Sequence, residues 1–414
     1  MASEPQFAST LRLPEIVLGR GKLAELPSVI LRFGRRAVFV VRGPGLTESD
    51  EWVAIKAGLH AAGISYDVES VRGEPSPELV DSFVARFREQ GPPDVVVGIG
   101  GGSVMDTAKA VAGLLIPGNS VRDHLEGVGP GLPYRGPALP LIALPTTAGT
   151  GSEATKNSVL SERGPGGFKR SFRDDQLIAR VAIVDPDLLC TCPPELIATD
   201  GMDAVTQLME SCLSLRANPL SDATALGALE RARDALPAWY ELAAAGRGGT
   251  EDAAPAREAM AVAALSSGIC LAQTGLGAAH GVASPLGAQF PIPHGAACGA
   301  TLAAATRVNI AALEARDPDG PAMDRYATLG RLLAPVSGAG KPVAGSADDA
   351  QARSALVALL DDWRVRLAVP GLASYGVTES DIPAIVADSR GASMRTNPIV
   401  LTDDEIAEIL RASL

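Results

Sequence analysis

Two short segments of this 414-residue chain carry residue types able to hold a phosphorylated cofactor. The first, Gly98-Ile99-Gly100-Gly101-Gly102-Ser103, follows the apolar run Val95-Val96-Val97 and precedes a helical pattern through Asp106, Lys109 and Ala110. Glycines at a strand-to-helix junction leave no Cβ in the way, so backbone N–H groups and the positive helix end can face a pyrophosphate. A tight turn would use the same residues. Ser103 stands where the ordinary dinucleotide fingerprint has its third glycine, and no strand ending in an acidic residue follows about twenty positions later. The second segment, Leu144-Pro145-Thr146-Thr147-Ala148-Gly149-Thr150-Gly151-Ser152-Glu153, follows another apolar run. The hydroxyls of Thr146, Thr147, Thr150 and Ser152 could line a ribose or a phosphate; read alone, the segment is equally a polar surface turn. Asp106 and Lys109 lie one helical turn apart and can pair with each other.

The elements that must position these loops are legible as alternating patterns. Apolar runs at 37–41, 95–99 and 139–144, separated by helix-length stretches, predict a parallel α/β sheet. A glycine loop near residue 98 requires an earlier βα unit before it. From about Asp185 onward strand patterns fade and Ala- and Leu-rich helical segments take over, such as 221–236 and 351–367. In the latter, Leu356, Leu359, Leu360, Trp363 and Leu367 recur at helical spacing, which places them against a core and Asp361, Asp362 and Arg364 outside. Thr402-Asp403-Asp404-Glu405 is a capping-box pattern. The Gly/Ala/Pro-rich stretches 243–255 and 335–350 read as surface loops.

Composition bounds the function. The length suits two domains, and with 46% hydrophobic and 20% charged residues the chain can bury sizeable cores. A formal charge of −12 argues against nucleic acid or an anionic membrane as partner. The five cysteines, Cys190, Cys192, Cys212, Cys270 and Cys298, lack the paired spacing of a structural zinc site or a disulfide framework and read as small buried hydrophobes in a reducing compartment. The N-terminal residues have no basic start followed by an apolar run, so the expectation is a cytoplasmic protein.

Taken together, GGGSVMDTAKA and LPTTAGTGSEAT resemble the two nucleotide-binding signatures of the iron-containing alcohol dehydrogenase family. VAIVDPDLL, PPELIATDGMDAVTQ, HGVASPLG, IPHG and SMRTNPIVLTDDEI resemble further blocks in the family's order, so the resemblance covers nearly the whole chain. It implies an α/β nucleotide-binding domain with a parallel sheet, residues 1–187, followed by an all-α metal and substrate domain, residues 188–414. This is the architecture shared with dehydroquinate synthase, and members are commonly dimers or larger.

The resemblance also implies a site. The family holds a divalent ion, iron or zinc, with an Asp and a His four apart on one helix and two further His fourteen apart. The matching positions here are Asp203, Gln207, His280 and His294. A Gln offers a neutral carbonyl oxygen where the family has an imidazole nitrogen, so Gln207 is a weak or absent fourth ligand. Either Asp203, His280 and His294 keep the ion, or the ion is lost and His280 or His294 delivers a proton to the substrate oxygen. Ser284 replaces a further histidine the family often carries, while His60 and His124 lie outside any motif and read as surface residues. Lys169 aligns with a family lysine near nicotinamide and substrate, where it could attract an anionic group; a solvated loop lysine is the alternative.

The cofactor-binding positions implied are Arg42, Gly43, Gly100, Gly101, Gly102, Ser103, Asp106, Thr146, Thr147, Thr150 and Ser152. NAD-preferring members commonly have an Asp at the position of Gly43, which repels a 2′-phosphate. Without it, Arg42 can pair with that phosphate, so NADP(H) is expected over NAD(H). The expected activity is interconversion of an alcohol and an aldehyde or ketone, run as a carbonyl reductase on a small molecule. The rivals are a non-redox, NAD-using lyase or cyclase of the dehydroquinate synthase type and a catalytically silent nucleotide-binding relative.

Overall fold

The computed structural model describes residues 11–162, 167–333 and 348–414. Its first part contains strands β1 (Glu15–Leu18), β2 (Arg36–Arg42), β3 (Ser65–Val71), β4 (Val95–Gly100), β5 (Leu141–Pro145), β6 (Asn157–Glu162), β7 (Phe168–Arg173) and β8 (Val181–Val184). Interleaved with these are helices α1 (Leu26–Leu31), α2 (Gly43–Thr47), α3 (Asp50–Ala61), α4 (Pro77–Glu89) and α5 (Gly102–Leu114). Helices follow in the remainder: α6 (Pro194–Leu213), α7 (Pro219–Ala244), α8 (Ala254–Thr274), α9 (Ala278–Gln289), α10 (His294–Arg316), α11 (Pro321–Leu333), α12 (Asp349–Arg366), α13 (Ile382–Asp388) and α14 (Asp403–Arg411).

The six-stranded sheet is parallel throughout, in the order β1-β8-β5-β4-β2-β3, and β6 and β7 form a separate antiparallel hairpin. Both faces of the sheet are covered, which explains why its central strands read as continuous apolar runs instead of alternating ones. Phe39, Val41, Val97, Ile99, Ile142 and Leu144 face a core shared with α6, α7 and α8. Val38, Val40, Val96, Leu141 and Ala143 face the core beneath α4 and α5. A third core packs α9 and α10 against α13 and α14.

Strand order decides where a ligand can sit. From β2 the chain moves outward to β3, then returns to the other side of β2 as β4, so the strand order reverses between β2 and β4. In open parallel sheets the crevice beyond the carboxyl ends at such a reversal is the ligand site. Arg42 ends β2 and Gly100 ends β4. Gly100 is also in register with Pro145 at the end of β5, and the Thr146 N–H donates to the Gly100 carbonyl at 3.0 Å, so the two loops singled out in the sequence emerge side by side.

Several expectations hold in detail. Leu356, Leu360, Trp363 and Leu367 are buried, and Thr402 and Glu405 cap α14 reciprocally. Others need correction. Of the expected loop 243–255, only 245–253 lies between helices, because α7 runs to Ala244 and α8 starts at Ala254. Residues 335–347 of the second loop lie outside the described residues, and Asp349 and Ala350 already belong to α12. His124 is half-buried: its ring stacks on Phe172 at 5.3 Å and meets the edge of Tyr134. By length and composition α10 could span a membrane, but 89% of its apolar stretch is buried inside the molecule, so it is a core helix.

Candidate active site

Three helices bring the chemistry together. Helix α6 carries Asp203, Gln207 and Glu210 at i, i+4 and i+7, so the three side chains share one face. His280 lies in the first turn of α9, and His294 opens α10 with Cys298 one turn further along. The start of α9 has no side-chain cap of its own, since Gly277 precedes it. Its first N–H groups are taken instead by distant residues: Ala278 N–H donates to Asn397 Oδ1 at 3.1 Å and Ala279 N–H to Glu210 Oε1 at 2.7 Å. Asn397, from the terminal SMRTNPIV block, is itself locked by paired amide bonds with Asn309.

The side chains converge closely. His280 Nδ1 lies 2.7 Å from Glu210 Oε2, and its Nε2 lies 3.1 Å from Asp203 Oδ1. His294 Nε2 stands 3.9 Å from the same Asp203 oxygen and 3.8 Å from Cys298 Sγ. One donor atom from each of Asp203, His280, His294 and Cys298 falls within 4.8 Å of every other. Gln207 donates its amide nitrogen to Asp203 Oδ2 at 3.3 Å. Its Oε1, like His294 Nδ1, is buried without a hydrogen-bond partner. Unmatched buried polar atoms are costly, and two of them at one cluster of donors mark a pocket shaped for something else.

Charge follows geometry. Burial raises Asp203, but the adjacent His294 and His280 outweigh it and hold its carboxyl below the usual range. Burial alone would lower His280; the Cys298 sulfur and the Glu210 and Asp203 carboxylates override it and hold this imidazole well above its ordinary value. His294 is pushed down by burial, with Lys169 and His280 adding to the push, and about a third of its side chain faces the cleft. Burial pushes the Cys298 thiol up to about 12.

The two loops lie one helical turn away. Thr147 hydrogen-bonds Asp200, which precedes Asp203 by a single turn of α6. Gly151 has φ +57, and a Cβ there would lie 2.3 Å from the Ala264 carbonyl, so only glycine lets this loop seat against α8. At the end of β4, a Cβ on Gly100 would strike Val104 at 2.4 Å, and Gly101 and Gly102 lie directly under Thr147 and Thr150. With the α5 N-terminus behind it, this glycine stretch is a cradle that side chains would fill, as binding of a pyrophosphate requires.

Other expected residues sit differently. Lys109 does not bond Asp106 directly; fully buried, it donates to Ser152 Oγ, Thr155 Oγ1 and the Asn157 carbonyl, each at 2.8 Å. Ser152 in turn donates to Asp106 at 3.2 Å, so Asp106 and Ser152 tie the two loops together from beneath. Lys169 lies on β7, is 13% exposed and pairs with Glu74 at 2.8 Å, so it is no solvated loop lysine. Arg42 is exposed beside the cleft and makes no hydrogen bond or ion pair among the described residues. A Cβ at the adjoining Gly43 would meet nothing within 4 Å. Sequence reasoning missed Glu210, Asp200 and Cys298, although Glu210 continues the periodicity of Asp203 and Gln207 on α6.

Comparison with known proteins decides the family. The description iron-containing alcohol dehydrogenase matches residues 14–186, and Fe-containing alcohol dehydrogenase family, C-terminal, matches residues 197–414. The chain belongs to the iron-containing alcohol dehydrogenase family. It is 31% identical over 416 residues to alcohol dehydrogenase 4 of Schizosaccharomyces pombe, covering 100% of this chain and 91% of that one. It is 29% identical over 404 residues to the NAD-dependent methanol dehydrogenase of Bacillus methanolicus, covering 97% and 98%. The solved structure of a 1,3-propanediol oxidoreductase superposes with a TM-score of 0.86 at 26% identity, covering 98% of this chain and 100% of that one. As an iron-containing alcohol dehydrogenase, this chain is an enzyme that interconverts an alcohol and a carbonyl compound with a nicotinamide coenzyme.

Proposed function

We propose that this enzyme works as an NADPH-preferring carbonyl reductase, with the substrate oxygen placed against Asp203, His280 and His294 and a divalent cation held among them. The observation that carries this reading is the Glu210–His280–Asp203 chain. Glu210 engages one ring nitrogen and directs the other at the donor cluster, the arrangement that orients metal-ligating histidines. The unmatched Gln207 Oε1 and the mixed O, N and S donors of the cluster suit a divalent ion. When bound, the cation would polarise the substrate oxygen and the nicotinamide would exchange a hydride with its carbon.

The chain's own residues do the rest. His280 has both nitrogens engaged by carboxylates, which disfavours it as a direct proton donor. His294 is the member of the cluster most open to the cleft, so it borders the substrate. Lys169, neutralised by Glu74, shapes the cleft's field near His294 and adds little net attraction for an anionic substrate. The glycine cradle and Thr146, Thr147 and Thr150 bind the dinucleotide, while Asp106 and Ser152 hold the two loops in register.

Coenzyme preference rests on Arg42 and Gly43. An exposed guanidinium that makes no hydrogen bond or ion pair among the described residues, beside open space at the strand-order reversal, can form charge-assisted bonds to a 2′-phosphate, and no acidic side chain at 43 opposes it. Steady-state kinetics on a panel of aldehydes and ketones tests the proposal. Arg42→Ala should raise KM for NADPH by about tenfold or more and leave that for NADH unchanged, in keeping with the loss of a charged hydrogen bond. A wild-type preference for NADH that survives the substitution would contradict it.

A further inference from the structure

We propose that Cys298 supplies the fourth protein ligand of the cation site in place of Gln207, and that the site thereby takes zinc in preference to iron. The proposal rests on the reading that Asp203, His280 and His294 hold a cation. Each of two helices offers a pair four residues apart: Asp203 and Gln207 on α6, His294 and Cys298 on α10. The Cys298 sulfur joins Asp203, His280 and His294 in a set of four donor atoms that all lie within 4.8 Å of one another. A tetrahedral zinc site with bonds of about 2.0–2.3 Å needs donors roughly 3.3–3.8 Å apart. Three of the six separations, 3.1, 3.8 and 3.9 Å, lie near that edge and the others fall within 4.8 Å, so the four donors can gather round one ion, which would take the substrate oxygen by expanding to five-coordinate.

Gln207 is differently disposed. Its amide nitrogen is turned to Asp203, and its oxygen, in a side chain only 3% exposed, is left unmatched in the same pocket. That oxygen shows the pocket lacks a positive or donor group, but as a neutral carbonyl it is a poor ligand for zinc or iron. Donor type separates the candidates further: a Cys298 thiolate is an anionic soft ligand, whereas Gln207 offers only a neutral carbonyl oxygen. On binding, the Cys298 S–H bond and the His280 Nε2–H bond break, sulfur–metal and nitrogen–metal bonds form and both protons leave to solvent, with no change of oxidation state. Thiolate sulfur is a soft donor and shifts selectivity toward zinc.

The test uses the full-length protein stripped with a chelator and titrated with cobalt(II), which reports thiolate ligation by a near-ultraviolet sulfur-to-metal charge-transfer band. One equivalent of cobalt should bring the band up in the wild type. It should persist in Cys190→Ser/Cys192→Ser and in Gln207→Ala, and be absent in Cys298→Ser. Zinc affinity, measured by competition with a chromophoric chelator, should fall about 100-fold in Cys298→Ser and change little in Gln207→Ala. Stoichiometric cobalt with no thiolate band in the wild type would overturn the role of Cys298 and leave the cation site standing. Failure of the wild type to bind cobalt or zinc would overturn both.

Discussion

Glu210 touches neither of the two loops, yet it fixes one nitrogen of His280 and also accepts from the Ala279 N–H at the start of α9. It is a positioning residue, and its effect should be felt through the cation. Glu210→Gln should weaken zinc binding by about 10- to 100-fold, as removal of a carboxylate behind a ligating histidine does, while KM for the coenzyme stays unchanged. Equal zinc affinity in variant and wild type would show that the carboxylate only caps the helix. Residues of this kind escape sequence reading for a physical reason. The glycine cradle and the two histidines sit in short local patterns, whereas the partners of His280 lie 70 and 77 positions away and meet it only once the first turn of α9 is brought up to α6. Cys298 reads as a small hydrophobe, although its place four residues after His294 puts both on one face of α10.

At the scale of elements, the junction between the two coenzyme loops stores a cost in buried charge. Glu153, 3% exposed, has its carboxyl pushed up to about 7 by burial, and the same burial pulls Lys109 down to about 8. A buried acid with a raised pKa binds a proton in the folded state that the unfolded chain has already lost. Its stability contribution therefore falls as pH rises from the ordinary carboxylate value of 4.5 to about 7. Above about 8, the folded state holds fewer protons on Lys109 than the unfolded chain, so stability recovers toward 10.5. Glu153→Gln should remove its share of the falling limb, to which Asp106 and Asp200, raised by burial to about 6 and about 7, also contribute. Urea midpoints compared at about pH 5 and about pH 8 should show the variant gaining roughly 3 kcal/mol on the wild type across that interval. The same fall in both proteins would assign it elsewhere.

The elements themselves were unevenly legible. Strands β2, β4 and β5 announced themselves because burial on both faces makes them uniformly apolar. The half-exposed β3 and the polar hairpin of β6 and β7 gave no such run. The helical pattern at 221–236 runs up to Pro237, a residue that lacks an N–H and crowds the preceding turn, yet α7 does not end there. It continues to Ala244 because Leu236, Pro237 and Trp239 are all buried against its neighbours, and that packing outweighs a lost backbone bond.

For the whole molecule, the parallel sheet and the helical bundle matter less as separate bodies than for what their contact places side by side. The reversal of strand order sets the coenzyme crevice, and one turn of α6, from Asp200 to Asp203, links it to the donor cluster. This closeness is what lets a hydride donor and a polarised oxygen serve one carbon. The most direct measurement is turnover of an aldehyde with NADPH by protein stripped of metal, alongside calorimetric binding of the coenzyme to the same sample. Turnover should vanish on stripping and return with one equivalent of zinc, while coenzyme binding persists throughout. Undiminished turnover in protein shown by elemental analysis to hold far less than one ion per chain would contradict the account.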